Sequence, residues 1–367
     1  MYRCSGLVVR SRLRIRRVPG LIPDSTEDPP YRWAYCKLNH TLNPVSLRLW
    51  YTSSNKKLVL SWLTERNCRR KLEKFEMNTG VPFQDVSWFK KENIQNNMDY
   101  VPQNDDIIIA SYPRTGTNWL RNIVMQITSK GMSFPYFPSF NDCFYREVSF
   151  MEMIEPEAIG KMKGLRIYKN HYPYDMVQKN RKSKVLYIYR NPEDTLVSCY
   201  HFFQSFRKEE IHLDKFFEGF LAGNVEYGSY FDHVLSYLAH KDDDNLLLVS
   251  YEKLYANTRE EILRIAKFLS EKFYQFLSDD ESLLAKIMEL TSFEYMEKNL
   301  TATLPDSQPM EDSDDESEIM NFRINFFRIG VVGDGKRKLY LCKLKRLQER
   351  VAETMKDTEV LQEWLGE

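Results

Sequence analysis

Tyr112-Pro-Arg-Thr-Gly-Thr-Asn-Trp119 sets a cation, Arg114, and two hydroxyls, Thr115 and Thr117, around one glycine, Gly116. In a short turn, residues of these types can hold a phosphate-like anion through charge, hydroxyl donors and backbone N–H groups. A second set follows in Arg190-Asn-Pro-Glu-Asp-Thr-Leu-Val-Ser198, where a guanidinium and a serine hydroxyl can grip another phosphate. The plainer reading of Arg190 is an ion pair with Glu193 or Asp194 at a helix start. Lys169 and His171, in Lys169-Asn-His171, add an amine and an imidazole whose ordinary pKa suits a general base. A lone histidine is more often structural. His201, His212, His233 and His240 have no such context and are read that way.

These residues need elements to position them. Ile107 to Ala110 is a short apolar run rich in β-branched residues, which predicts a strand buried on both faces. From Trp119 the spacing becomes helical, at Leu120, Ile123, Val124 and Ile127. The free N–H groups and positive dipole end of that helix therefore face the turn. Leu165 to His171 predicts a second strand, Val185 to Tyr189 a third and Asn245 to Tyr251 a fourth. Helices are expected from about Pro192 to Phe206, along the aromatic stripe Phe216 to Leu238, over Glu260 to Phe268, and from about Lys343 to Leu365. This alternation predicts an α/β fold: a single domain with a mostly parallel central sheet flanked by helices. Ligands of such sheets sit at the carboxyl ends of the strands, and each candidate above lies at such an end.

Residues 1–75 read as a poorly ordered basic extension with a short helix near Leu58 to Leu72, and residues 76–365 as the folded domain. Order is expected from near Gly80-Val-Pro-Phe83. Phe134-Pro-Tyr-Phe-Pro138 reads as a rigid aromatic loop and Asp306 to Glu318 as an acidic mobile one. Charge is balanced overall, yet residues 1 to 80 hold 16 Lys/Arg against 6 Asp/Glu. Global charge thus gives no argument for a nucleic-acid partner. The Arg-rich, acid-free start has the composition of a mitochondrial presequence, but its proline and scarce serine count against that. Six scattered cysteines without a CxxC, and no histidine clusters, argue against a metal site and a disulfide framework, and fit a reducing compartment. No apolar run reaches the roughly 18 residues of a membrane span.

A nucleoside triphosphatase loop would need a second glycine and a Lys-Ser/Thr pair at the helix start, which this turn lacks. Tyr112 to Trp119 instead resembles the P-loop-like 5′-phosphosulfate loop of the cytosolic sulfotransferases, Tyr-Pro-Lys-x-Gly-Thr-x-Trp, with Arg114 in place of the usual Lys. Arg190 to Phe202 is similar to that family's 3′-phosphate motif at nearly every position, and the likeness extends over roughly residues 80 to 365. The resemblance implies a cytoplasmic enzyme that uses 3′-phosphoadenosine 5′-phosphosulfate (PAPS) as co-substrate and needs no metal. Arg114, Thr115, Gly116, Thr117, Asn118 and Trp119 would cradle the phosphosulfate, with Trp119 stacked on adenine. Arg190, Ser198, Arg328 and Gly330 would meet the 3′-phosphate. Tyr251, Thr291, Phe293 and Met296 would border the adenine. His171 would be the base, Lys169 would contact the sulfuryl group and Arg114 would offset charge on the bridging oxygen. The implied acceptor is a small molecule, a phenol, a steroid-like or other alcohol, or less favoured an amine; the aromatic loops 134–150 and 202–215 suggest a flat or apolar one.

The chain departs from the family at Ile329, where a cation is lost, and at Gly335, where an aromatic is lost. A missing charge-assisted phosphate contact costs about 1.5–3 kcal/mol. Tyr340, Leu341 and Lys345 replace three residues of the family's dimer motif, so the resemblance stops short of implying that dimer. Two rival readings follow: a degenerate nucleotide-binding protein without catalysis, and a nucleotide-dependent phosphotransferase.

Overall fold

A computed structural model describes residues 31–36, 47–52 and 58–61 of a first unit, Met1–Lys74, and most of a second, Phe75–Glu367. In the second unit the described residues are 96–97, 99–132, 148–153, 156–162, 164–176, 179–205, 210–299, 302–303, 323–324 and 327–366. The expected start of order at 80–83, the loops 134–138 and 306–318, and Phe206 lie outside them.

In the first unit β1 (Tyr31–Cys36), β2 (Leu47–Thr52) and β3 (Leu58–Ser61) pair antiparallel in that order. The helix expected from Leu58 is therefore corrected over its first turn: Leu58–Ser61 is a strand in register with β2. Leu-Val-Leu-Ser is a composition at home in a pleated pair, and pairing outweighs the weak helical spacing.

The second unit is built on five parallel strands. In chain order come β4 (Ile107–Ser111), α1 (Thr117–Thr128), β5 (Val148–Phe150), α2 (Pro156–Gly160), β6 (Ile167–Asn170), β7 (Lys184–Tyr189), α3 (Pro192–Ser205), α4 (Leu213–Ala222) and α5 (Tyr230–Leu238). Then follow β8 (Leu246–Ser250), α6 (Tyr251–Ala256), α7 (Thr258–Leu269), α8 (Glu271–Asp279), α9 (Glu281–Leu290), α10 (Phe293–Asn299), the two-residue pair β9 (Ala302–Thr303) and β10 (Arg323–Ile324), α11 (Asp334–Lys338), α12 (Leu341–Thr354) and α13 (Val360–Leu365). The strand order is β5-β6-β4-β7-β8, all parallel. After β4 the chain builds toward one side of the sheet and then crosses to the other, so the order reverses at β4. The crevice at that reversal opens at the carboxyl ends of the strands.

Every residue of β4 is buried, as its unbroken apolar run requires. Ile107 and Ile109 join Ile123, Val124 and Ile127 of α1 and Ile262, Ile265 and Leu269 of α7 in one core. On β7 the alternation is complete: Leu186 and Ile188 enter that core, while Tyr187 and Tyr189 enter a second one with Phe217, Phe220, Tyr230 and Phe231. Sheet and helices thus form three layers, and the strand ends are fixed from both faces.

Four expectations change in detail. A fifth strand, β5, was not foreseen, because Val-Ser-Phe is too short to show a period. The stripe Phe216 to Leu238 is two helices. Gly223 ends the first at φ 71°, and a Cβ there would lie 2.7 Å from Ser229 Cβ. The Ser229 hydroxyl then caps the second by accepting from the Asp232 N–H. The C-terminal helix is likewise broken into α12 and α13 around Met355, whose carbonyl accepts from the Thr358 N–H at 2.9 Å and hydroxyl at 2.8 Å. The helix expected at Glu260 to Phe268 spans Thr258–Leu269 and follows a further short helix, α6.

Candidate active site

Each strand of the sheet ends on a residue with chemistry. β4 runs into the Tyr112–Thr117 turn, β6 into His171, β7 into Arg190, β8 into Tyr251, and β5 into a single 3₁₀ turn that carries Glu152. Parallel pairing aligns these ends, with Ala110 opposite Asn170 and Tyr187 and with Tyr189 opposite Ser250.

The turn after β4 holds two left-handed residues, Arg114 at φ 69° and Gly116 at φ 111°. Gly116 is needed twice over, because a Cβ would also lie 2.8 Å from the Tyr251 ring and 2.9 Å from Ile188. Gly116 is the N-cap of α1 without any side-chain cap, and the first turn carries no acid. Its N–H groups are therefore directed at the crevice with the positive end of the dipole. One expected donor is corrected. The Thr115 hydroxyl, fully buried, donates to the Tyr112 and Ile188 carbonyls at 2.8 and 3.0 Å, so it pins the turn to β7 and is not left over for an anion. Thr117 Oγ1 lies 2.6 Å from Ser111 Oγ.

His171 Nδ1 lies 2.8 Å from the Ser111 carbonyl and 3.1 Å from Ser111 Oγ. A carbonyl only accepts, so Nδ1 carries the proton and Nε2 presents its lone pair. The ring is held edge-on by Phe150 and Tyr227, at 5.2 and 5.4 Å between centroids. Burial first, then Lys169, pushes its pKa down to about 3, well below the near-neutral value the residue type suggests. The imidazole is thus neutral and ready to accept a proton, though a weak base. An anion bound among these cations would raise its basicity by offsetting Lys169 and Arg114. Lys169, 7% exposed, donates to Asn118 Oδ1 at 3.4 Å and lies 4.6 Å above the Phe150 ring. Burial and Arg121 lower its pKa to about 7.

Arg114 reaches α3, where its Nε donates to Ser198 Oγ at 3.2 Å, and its guanidinium lies 4.7 Å from the Phe202 ring centroid. Burial, with repulsion from Arg190 and Arg328, lowers its pKa to about 10, which leaves it charged at neutrality. Arg190 does make the plain ion pair, to Asp194 at 3.1 Å, and also donates to the Val331 carbonyl at 2.7 Å. It lies 4.1 Å from the Tyr251 ring centroid. Its Nε, however, is buried without an acceptor among the described residues, and so is Nε of Arg328. The plainer reading of Arg190, an ion pair at the helix start, therefore holds for its Nη2 edge, while its Nε edge is unsatisfied. Arg328 is anchored by Asp334 at 2.5 Å.

Beside these cations lies an apolar cluster. Trp119 meets Tyr251 edge-on at 5.2 Å and packs with Phe293 against Met296 and Phe327. Gly330, at φ 68°, approaches Phe293 so closely that a Cβ would lie 2.1 Å from its ring. Trp119 Nε1 is buried without an acceptor among the described residues. The Thr291 hydroxyl proton is committed to the Ile287 carbonyl at 2.8 Å.

Sequence reasoning missed the residues that lock this arrangement. Glu252 accepts from the Asn191 backbone and side chain at 3.0 and 2.7 Å, which ties the ends of β7 and β8. Asp194 accepts from the Gly333 and Gly335 N–H groups at 2.9 and 2.6 Å and so fastens the 333–335 segment onto α3. This explains Gly335: a Cβ there would lie 2.3 Å from the Glu193 carbonyl carbon, so the lost aromatic is replaced by backbone contact. Asn191, Asp194 and Glu252 sit inside the recognised motifs, where Asp194 was expected only as a partner of Arg190 and the other two had none. Ser111 and Glu152 carry no such signal.

The chain is similar to proteins of one family. A family profile described as a sulfotransferase domain matches residues 104–359. The chain is 32% identical over 282 residues to Sulfotransferase 2A2 of Rattus norvegicus, covering 75% of this chain and 93% of that protein. It is 31% identical over 285 residues to the 3-beta-hydroxysteroid sulfotransferase of Cavia porcellus, covering 75% and 92%. Among solved structures, mouse sulfotransferase SULT7A1 complexed with PAP superposes with a TM-score of 0.58 at 27% identity, covering 76% of this chain and 95% of that one.

Proposed function

The chain belongs to the sulfotransferase family, and from that premise we propose that it moves a sulfuryl group from PAPS onto a hydroxyl of a small acceptor, with His171 as the base. The observation that carries the site reading is the pair of buried guanidinium Nε groups, on Arg190 and Arg328, that lack an acceptor among the described residues. Buried donors of this kind are satisfied in nearly all proteins, and a bound anion would satisfy both. A 3′-phosphate would supply those acceptors, beside the apolar cluster of Trp119, Phe293 and Met296.

Arg114, the turn backbone and the start of α1 would hold the 5′-phosphosulfate. That donor, when bound, supplies an activated sulfuryl group with the bisphosphate as leaving group. His171 Nε2 accepts the hydroxyl proton of the acceptor, and the Nδ1–H bond to the Ser111 carbonyl fixes the ring for this. Lys169 and Arg114 place positive charge where negative charge grows. The walls nearest His171, Phe150 and Tyr227, are aromatic, which favours a phenol or a steroid-like alcohol over an amine. The steroid named by the Cavia porcellus relative is of that class. We place the protein in the cytoplasm from the family and the cysteine pattern. Among the described residues no helix is long and apolar enough to cross a membrane, and no group of three or more metal-ligating side chains occurs. Titration with adenosine 3′,5′-bisphosphate tests the site directly; absence of saturable binding would remove the proposal.

Ile329 is 38% exposed, so the missing cation costs less than a buried contact would. Ile329→Lys is expected to tighten bisphosphate binding by roughly 1.5- to 5-fold at low salt, with the gain fading as salt is raised. Unchanged affinity at low salt would mean that Ile329 does not face the 3′-phosphate.

Every residue of the proposed site lies in the second unit. We therefore propose that residues 1–75 are dispensable for folding and donor binding. Removing them should leave the melting transition and bisphosphate affinity in place; loss of either would show that the extension belongs to the working enzyme.

A further inference from the structure

Taking His171 as the base, we propose that His233 is a positioning residue for the transfer: its ring holds the His171 carbonyl and so sets where the base meets the acceptor hydroxyl. His233 lies in the first turn of α5 and is 2% exposed. Its Nε2 lies 3.1 Å from the His171 carbonyl oxygen, and its Nδ1 lies 2.9 Å from the Tyr187 hydroxyl of β7. A carbonyl only accepts, so Nε2 carries the proton and Nδ1 accepts from Tyr187. Burial keeps the ring neutral, with its pKa lowered to about 4, which suits that tautomer. Tyr112 meets the ring edge-on at 5.5 Å between centroids, while Tyr187 and Tyr237 stack near it at 5.6 and 5.7 Å. Both nitrogens are engaged, and the ring is held in one orientation.

The place where that bond ends gives it a bearing on the chemistry. His171 lies just past Asn170, the last paired residue of β6, so sheet pairing no longer fixes its main chain. Polar contacts among the described residues do so instead. Glu152 Oε1 accepts its N–H at 2.6 Å, the Ser111 carbonyl accepts its Nδ1–H at 2.8 Å, and His233 donates to its carbonyl. The stretch leading into α5 also reaches the rest of the site. The Gly228 carbonyl accepts from the Tyr112 hydroxyl at 3.0 Å, and the Tyr230 hydroxyl donates to the Arg190 carbonyl. Tyr227 meets the His171 ring edge-on at 5.4 Å. Residues 227–233 therefore join the turn after β4 to the ends of β6 and β7. Within that stretch His233 is the side chain that bonds to the main chain of the base.

The test compares two amides in the full chain. His233→Gln can still donate to the His171 carbonyl. His233→Asn, one methylene shorter, keeps a polar group near Tyr187 but falls short of that carbonyl. Turnover is measured with a hydroxysteroid and an acidic nitrophenol, alongside adenosine 3′,5′-bisphosphate affinity and melting. His233→Asn should slow the hydroxysteroid by roughly 10- to 100-fold, the scale of a base displaced by up to about 1 Å. The nitrophenol should lose less, bisphosphate affinity should hold, and His233→Gln should recover most of the loss. In a His171→Ala background His233→Asn should cost little more, because the group it places is gone. Equal turnover in the Gln and Asn variants, equal loss for the two acceptors, or a full further loss in the His171→Ala background would overturn the proposal. Should the Asn chain fail to fold, the Gln chain decides: a folded Gln variant slowed by roughly tenfold or more overturns it equally. Wild-type turnover in His171→Ala alone would remove the base reading and this inference with it, whereas a strong loss there that His233→Asn adds to in full removes only the role of His233.

Discussion

His171→Ala is expected to cut turnover by roughly 10²–10⁴, the range for removal of a general base, while bisphosphate affinity stays near that of the wild type. The proposed anion grips lie elsewhere, in Arg114, Arg190, Ser198 and Arg328. Some stability is also lost, because the Ser111 carbonyl loses the Nδ1–H; that costs about 1–3 kcal/mol and a few degrees of melting temperature. Melting alone therefore does not separate a base from a structural histidine, but the acceptor series does. An acidic phenol, already partly ionised near neutral pH, should lose less than an aliphatic alcohol. Equal loss for every acceptor would mean that His171 only supports the fold. The pH behaviour follows from the lowered pKa of about 3. In kcat/KM, His171 should contribute no acid limb near 6.5. Stability carries the complementary sign: the unfolded chain takes up the proton first, so the contribution is present above about 6.5 and is lost as pH falls toward 3. His171→Ala should flatten that slope.

Arg190→Ala is expected to weaken adenosine 3′,5′-bisphosphate by roughly 10- to 150-fold, the equivalent of one charge-assisted hydrogen bond of about 1.5–3 kcal/mol. Adenosine 5′-phosphate should lose far less. The Nη2 edge is engaged by Asp194 and Val331, and Nε is the edge left for a ligand. Arg190→Lys should not restore discrimination, since one ammonium cannot serve both edges. Similar losses for the two nucleotides would assign Arg190 to holding the 331–335 segment instead of reading the 3′ group.

The parts legible in the sequence were those with local signatures. The β4 run, the change to helical spacing at Trp119 and the turn chemistry between them were enough for the strand–turn–helix unit, from residues next to one another. Alternation of strands and helices was enough for a parallel sheet, and parallel pairing then brings His171, Arg190 and Tyr251 to one edge. What escaped was of two kinds. Short elements such as Val148–Phe150 carry too few residues for a period, so the turn holding Glu152 went unseen. Directions of side chains were also beyond reach: Thr115 looked like an anion donor but turns inward to Ile188, and Gly335 looked like a lost packing residue but fits against α3 because it has no side chain. The shift of His171 to about 3 arises from burial and from Lys169, which only the folded chain provides.

The most direct test of the central claim is transfer itself. The full chain is incubated with PAPS carrying labelled sulfur and a panel of phenols and hydroxysteroids, with products resolved by accurate mass so that SO₃ and PO₃ are told apart. A sulfotransferase yields a labelled sulfate ester and an equal amount of adenosine 3′,5′-bisphosphate, both abolished or strongly reduced in His171→Ala. Tight bisphosphate binding with no label on any acceptor, or a transferred group with the mass of PO₃, would contradict it.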